Sequence, residues 1–170
     1  MPIAIDTIRS AAGQIRKSAQ RTLYEAKASN LATAFLCHSH EDADLAKGVV
    51  NLLANESWGV YVDWEDSSMP ATPDRQTAQR IQQKIIDLKY FIFLASPNSV
   101  RSRWCPWEIG YADGKKNPDQ ILIIPTSDRS GAWYGSEYLQ LYRRIDEASQ
   151  GGLAVWRPGQ TSGGAWVRTL

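Results

Sequence analysis

Ala32-Thr33-Ala34-Phe35-Leu36-Cys37 is a short, largely apolar run that breaks at once into His38-Ser39-His40-Glu41-Asp42, and the reading of this junction decides the architecture. A run without polar alternation suits a strand covered on both faces. Beyond it, Leu45, Val49, Leu52 and Leu53 fall at i, i+4, i+7 and i+8, which predicts a helix, and Gly59 then starts a second strand, Val60-Tyr61-Val62-Asp63. A polar loop from Trp64 to Pro73 leads to a helix whose Ala78, Ile81, Ile85 and Leu88 share a face. Tyr90 to Ala95 is the third apolar run, a helix opens near Pro106, and Ile121 to Pro125 is the fourth. Four apolar runs alternating with helices imply an α/β domain whose mostly parallel sheet is covered on both faces. Past Pro125, Tyr138, Leu141, Tyr142 and Ile145 predict a helix over about 136–148, and Gly152 to Trp156 a last short strand. The end, from Arg157 to Trp166, reads as ordered coil or mobile tail.

The chain has 170 residues, enough for one domain with a substantial core, and no apolar run long enough for a membrane span. Nineteen Lys and Arg against eighteen Asp and Glu leave a formal net charge of +1, so there is no overall attraction to nucleic acid or anionic lipid. Two cysteines, Cys37 and Cys105, make no disulfide framework, and two histidines are too few for a zinc set. No metal is expected. The first thirty residues lack a continuous apolar signal segment, which leads to the cytoplasm as the expected compartment. Within them, Ile8, Ala11, Ala12, Ile15, Ala19 and Leu23 stand near helical spacing with bases interleaved, predicting an amphipathic leading helix over about 6–28. Such a helix packs on the domain or pairs protomers; a membrane-surface or targeting role is the alternative.

Chemistry-bearing residues concentrate at the ends of the predicted strands. Ser39, flanked by His38 and His40, sits where a strand ends and a helix begins, an arrangement that points backbone N–H groups and a positive dipole end at a phosphate. The competing reading makes Ser39 an N-cap, with Asp42 as a loose capping-box partner. There is no G-x-G-x-x-G, no P-loop and no G-x-S-x-G elbow. Glu108 is the one carboxylate between Asp87 and Asp113, in the run Arg101-Ser102-Arg103-Trp104-Cys105-Pro106-Trp107-Glu108. Beyond the carboxyl end of a buried strand it is the first candidate for chemistry. Its alternative is structural: with Cys105 as N-cap and Pro106 at N1, Glu108 is the N3 glutamate of a capping box. The helix start, with Arg101 and Arg103 near it, favours the ionised carboxylate, which suits stabilising a developing cation. Cys105 beside Arg103 reads as a packed thiol rather than a reactive one.

These residues resemble the TIR (Toll/interleukin-1 receptor) domain family in its bacterial, NAD-cleaving branch. Ala34-Phe35-Leu36-Cys37-His38-Ser39-His40-Glu41-Asp42 is similar to the family's first strand and turn, and Tyr61-Val62-Asp63 to its second strand before the BB loop, here Trp64 to Pro73. Leu94 to Val100 resembles the stretch after the third strand, and Trp104 with Glu108 matches W-x-x-x-E. The likeness covers roughly 31–126, which makes that span the TIR core, with a leading helix over 1–30 and an extension of the same domain over 127–170. It departs at Cys37, where serine is usual, and in the BB loop, which lacks the customary glycine.

The resemblance implies a flavodoxin-like three-layer sandwich and a NAD+ glycohydrolase or ADP-ribosyl cyclase with Glu108 as the catalytic residue. It implies a substrate site of His38, Ser39, His40, Asp63, Trp64, Ser96 and Trp104, in which Trp104 walls the nicotinamide end and the Ser39 turn receives the phosphates. NAD+ is substrate, and no cofactor is expected. It further implies bacterial anti-phage defence, homo-oligomerisation through TIR–TIR contacts, and a separate effector or sensor protein, without nucleic acid or membrane. The product, whether ADP-ribose, a cyclic isomer or a conjugate, stays open. Two rival readings are a non-catalytic TIR interaction module and a nucleoside deoxyribosyltransferase-like enzyme.

Overall fold

The computed structural model describes residues 1–13, 23–63, 74–132, 134–135 and 137–170, with the side chain of Tyr24 excepted. Its strands are β1 (Ile3–Ala4), β2 (Thr33–Cys37), β3 (Gly59–Tyr61), β4 (Tyr90–Ala95), β5 (Ile121–Ser127), β6 (Arg143–Glu147), β7 (Leu153–Trp156) and β8 (Ala165–Trp166). The helices are α1 (Ile5–Ala12), α2 (Leu23–Ala28), α3 (Ala43–Asn55), α4 (Arg75–Asp87) and α5 (Cys105–Asp113). The sheet runs β3-β2-β4-β5-β6-β7-β8, with β1 pairing β5. From β3 to β6 every pairing is parallel, and β7 and β8 are added antiparallel. β2 therefore lies between β3 and β4, so the chain order reverses beside it, and the crevice at its carboxyl end is the expected ligand position of an open α/β sheet.

Strand alternation sorts the core into two layers. Ala34 and Leu36 of β2 face the layer that holds Val49 and Leu53 of α3, Ile92 of β4 and Ile8 of α1. Phe35 and Cys37 face the opposite layer, which holds Ile81 and Ile85 of α4, Phe91 and Phe93 of β4, and Cys105 and Ile109 of α5. Because successive side chains point to opposite faces, Cys37 must face the layer of α5 if Leu36 faces α3. Phe35 stacks at 5.7 Å from Tyr61 and 5.8 Å from Phe91, tying β3, β2 and β4 on that face.

The leading segment differs from one continuous helix: α1 and α2 are its described parts, and 14–22, with Ile15 and Ala19, lies outside the described residues. α1 packs on α3. Ile8 is fully buried, worth about 2 kcal/mol in apolar area. The approach depends on Gly48, where an added Cβ would lie 2.0 Å from the Ile8 carbonyl oxygen. Asn51 Nδ2 donates to Ala11 O at 2.9 Å, and Arg9 Nε to Asp44 Oδ2 at 2.9 Å.

The helix expected over 136–148 does not form. A 3-10 turn, Glu137–Leu141, is followed by β6, which pairs Arg143 and Arg144 with Leu122 and Ile123 of β5. An unpaired edge on β5 would leave backbone groups unsatisfied, and that demand overrides a helical spacing of Tyr138, Leu141, Tyr142 and Ile145. The C-terminal stretch is ordered coil over 157–164, as expected, but ends in a short strand: β8 pairs β7, Val167 is buried, and Trp58 Nε1 donates to Val167 O at 3.1 Å. Gly164 permits this, since a Cβ there would meet the Trp156 ring at 2.8 Å. Among the described residues, no helix is long and apolar enough to cross a membrane.

Candidate active site

α5 is positioned by what precedes it. Ser102 Oγ accepts from Trp104 N at 3.1 Å and Cys105 N at 3.3 Å, satisfying donors at a helix start whose N-cap, Trp104, supplies no side-chain bond. The helix begins at Cys105 with Pro106 in its first turn, which places Glu108 one residue beyond N3. Its N–H already donates to Trp104 O at 2.9 Å as an ordinary helical bond. Glu108 is therefore no capping-box glutamate, and its side chain turns inward, 6% exposed.

There it meets Cys37 at the carboxyl end of β2. The thiol donates to Cys105 O at 3.9 Å and lies close enough to the Glu108 carboxyl to favour its ionised form. Loss of water around the buried carboxyl raises Glu108 from 4.5 to about 7; Cys37 opposes the rise and the Asp63 charge adds to it. The expectation of a firmly ionised carboxylate is thus overturned. Arg101 and Arg103 are exposed, and Arg101 Nε is engaged by Pro97 O at 2.9 Å, so desolvation outweighs the helix dipole and the nearby bases. Burial likewise pushes the Cys37 thiol well up, with the Glu108 charge adding to the shift, which makes it a hydrogen-bond donor rather than a nucleophile.

His38 follows Cys37 and is buried. Its Nδ1 lies 3.0 Å from Leu36 O; since a carbonyl only accepts, Nδ1 carries the proton. Nε2 then faces Asp63, 3.7 Å from Oδ1, and burial lowers the histidine's pKa despite that neighbour. Asp63 stands just past β3 and is partly exposed. Glu108, Cys37, His38 and Asp63 thus converge at the ends of β2 and β3. Trp104, one helical turn before Glu108, is partly buried and meets Trp107 edge-on at 5.4 Å, with Trp107 stacked at 6.1 Å on Tyr111.

Other predicted residues are placed differently. Ser39 is the N-cap of a 3-10 turn, His40–Asp42, accepting from Glu41 N at 3.3 Å, and His40 is exposed. Asp42 is not its capping-box partner: it is buried, accepting from Ser96 Oγ and from Asn98 Nδ2 at 2.8 Å. Ser96 is wholly buried in that contact, with Ser99 N donating to its Oγ at 3.0 Å, so it joins the β2 and β4 ends rather than lining open space. Trp64 lies outside the described residues. Sequence reasoning missed the Cys37–Glu108 and Asp42–Ser96 contacts. It also missed Tyr138, whose phenol lies near Cys37 and Cys105 and is raised by burial. The strand-end position of Cys37 was the available signal for the first.

The family model described as a TIR domain matches residues 34–155. A relative from Bacillus cereus (strain MSX-D12), named "Probable 3' cyclic ADP-D-ribose synthase ThsB'", is 37% identical over 110 residues, 64% of this chain and 57% of the relative. The chain thus spans a little over half the length of the curated relative it matches. The family match covers well over half of the chain and takes in β2 to β7 with Glu108, Cys37, His38 and Asp63 inside it, and the chain belongs to the TIR domain family.

Proposed function

We propose that the chain cleaves the nicotinamide–ribose bond of NAD+, with Glu108 as the catalytic carboxylate, and releases an ADP-ribose-type product in cyclic form. The observation that carries this reading is a buried glutamate beside Cys37 at the switch point of a TIR sheet. Nicotinamide leaves as a neutral molecule from a pyridinium, so the departing group needs no proton, and the ribose passes through an oxocarbenium-like transition state. A desolvated carboxylate stabilises that cation more than a hydrated one does.

At neutral pH, Glu108 near 7 is divided between acid and carboxylate. A bound pyridinium brings a positive charge that favours the ionised form, so the substrate itself charges the group that acts on it. Trp104 walls the nicotinamide end, the Ser39 turn with His40 receives the phosphates, and Asp63 borders the ribose side. Ser96 holds the floor through Asp42. The relative's name supports the cyclic product, and the family resemblance supports a signal made for a separate effector in anti-phage defence, with TIR–TIR assembly.

The test is incubation of purified protein with NAD+ and mass spectrometry of the products. Nicotinamide and a cyclic ADP-ribose isomer are expected from the wild type, and a loss of roughly 100-fold or more from Glu108→Gln. A fully active Gln variant ends the assignment of Glu108, and linear ADP-ribose as the sole product ends the cyclic reading.

A further inference from the structure

The carboxyl ends of β2 and β4 are joined by one buried carboxylate. Asp42 accepts from Ser96 Oγ and, at 2.8 Å, from Asn98 Nδ2, so the residues on either side of Pro97 are both tied to the turn that follows β2. Ser99 completes the network: its Oγ accepts from Ser96 N at 2.8 Å and donates to Leu94 O at 2.6 Å. Pro97 is thereby fixed beside the Ser39 turn, at the ligand end of the sheet.

Arg101 is anchored to this point. Its Nε donates to Pro97 O at 2.9 Å, which orients the guanidinium plane. The side chain is exposed, and among the described residues its two Nη groups have no hydrogen-bond or ion-pair partner. A guanidinium held at Nε and open at both Nη groups presents the planar donor pair that a phosphate accepts in bidentate fashion.

The charges around the site call for such a cation. Glu41 and Asp42 lie in the turn, Asp63 and Glu108 stand by the ribose position, and burial lowers the pKa of His38, which leaves it neutral at pH 7. A pyrophosphate brings further negative charge into that setting. The Ser39 turn offers it a short 3-10 segment and the exposed ring of His40, without a permanent positive charge.

We propose that Arg101 is the cation that binds the pyrophosphate of NAD+, holding it from the β4 side while the Ser39 turn holds it from the β2 side. The inference rests on the NAD+ reading above and adds the residue that recognises the phosphates. Arg101 acts on binding, away from the bond that breaks.

ADP-ribose, which keeps the pyrophosphate and lacks the pyridinium, is titrated by calorimetry into wild type, Arg101→Ala, Arg101→Lys and Arg103→Ala. KM and kcat for NAD+ are measured on the same proteins. Arg101→Ala is expected to weaken ADP-ribose roughly 10- to 100-fold, the scale of hydrogen bonds to a charged group, and to raise KM similarly with kcat within about three-fold. Arg101→Lys keeps the charge without the fork and is expected to recover only part of the affinity. Arg103→Ala removes an equal charge from the same loop, at an exposed position, and is expected to cost less than about three-fold. Unchanged ADP-ribose affinity in Arg101→Ala overturns the proposal, as do equal losses in the Arg101→Ala and Arg103→Ala proteins, or absence of binding to wild type at millimolar ADP-ribose. NAD+ cleavage that survives Arg101→Ala with KM unmoved ends the proposal and leaves the cleavage reading standing. Arg101-dependent ADP-ribose binding in a protein that leaves NAD+ intact upholds the phosphate site and ends the cleavage reading alone.

Discussion

Replacing Glu108 by glutamine separates the electrostatics of the site from its packing, because the amide has the size of the protonated carboxyl and never ionises. Burial raises Glu108 from 4.5 to about 7. Between those values the folded protein holds a proton that the unfolded chain has released, so the unfolded state binds fewer protons and stability falls as pH rises. The contribution is fully present below the unfolded value and is lost as pH passes the folded one. A gap of about 2.5 units at about 1.36 kcal/mol per unit sets the loss at roughly 3 kcal/mol. For a chain of this size that is about 6–12 °C in melting temperature. Wild type and Glu108→Gln are therefore expected to melt together near pH 4 and to diverge to about that extent at pH 8, with the variant the more stable. Circular dichroism melts at closely spaced pH values, with urea denaturation at the two ends, give the difference directly and cancel every other titrating group. A difference that stays constant with pH, or a variant less stable at pH 8, refutes the burial argument.

Three further outcomes follow from the same contacts. Cys37→Ser offers Glu108 a stronger donor than the thiol, so the acid limb of the NAD+ cleavage profile should move down by about half a unit to one unit; an unmoved limb would show that Cys37 does not tune the carboxyl. Asp42→Ala strands the buried Ser96 hydroxyl and frees Asn98, at a cost of about 2–4 kcal/mol read from the urea midpoint, and a cost near zero would mean that solvent replaces both bonds. Gly48→Ala drives a methyl into the Ile8 carbonyl and should cost about 1–3 kcal/mol, with faster hydrogen exchange confined to Ile5–Ala12; uniform exchange across the chain would contradict the α1–α3 packing.

The regular elements were legible wherever local pattern and tertiary demand agree. β2, β4 and β5 are continuous apolar runs because both faces are covered, and α3 and α4 carry helical stripes because one face is buried. The segment from Tyr138 to Ile145 misled because its helical spacing is also met by a turn followed by a strand with one inward residue, Ile145. The open side of β5, which lies outside the segment itself, settled it. Glu108 stood out as an isolated acid beyond a strand, but its N3 capping role was misread by one residue, since Ser102 rather than Cys105 satisfies the helix start.

Composition and spacing along the chain suffice for the alternating architecture, the strand-end position of the candidate residues and the choice of Glu108, because periodicity and helix-start chemistry are local properties. The protonation of Glu108 and the engagement of Ser96 by Asp42 are not local. They depend on how much water is excluded and which strands lie side by side, and β2 meets α5 and the end of β4 only after the sheet has formed. For that reason the residues next to Glu108 in sequence pointed to a low pKa, while burial supplied by distant segments raises it to about 7 against the opposing effect of Cys37.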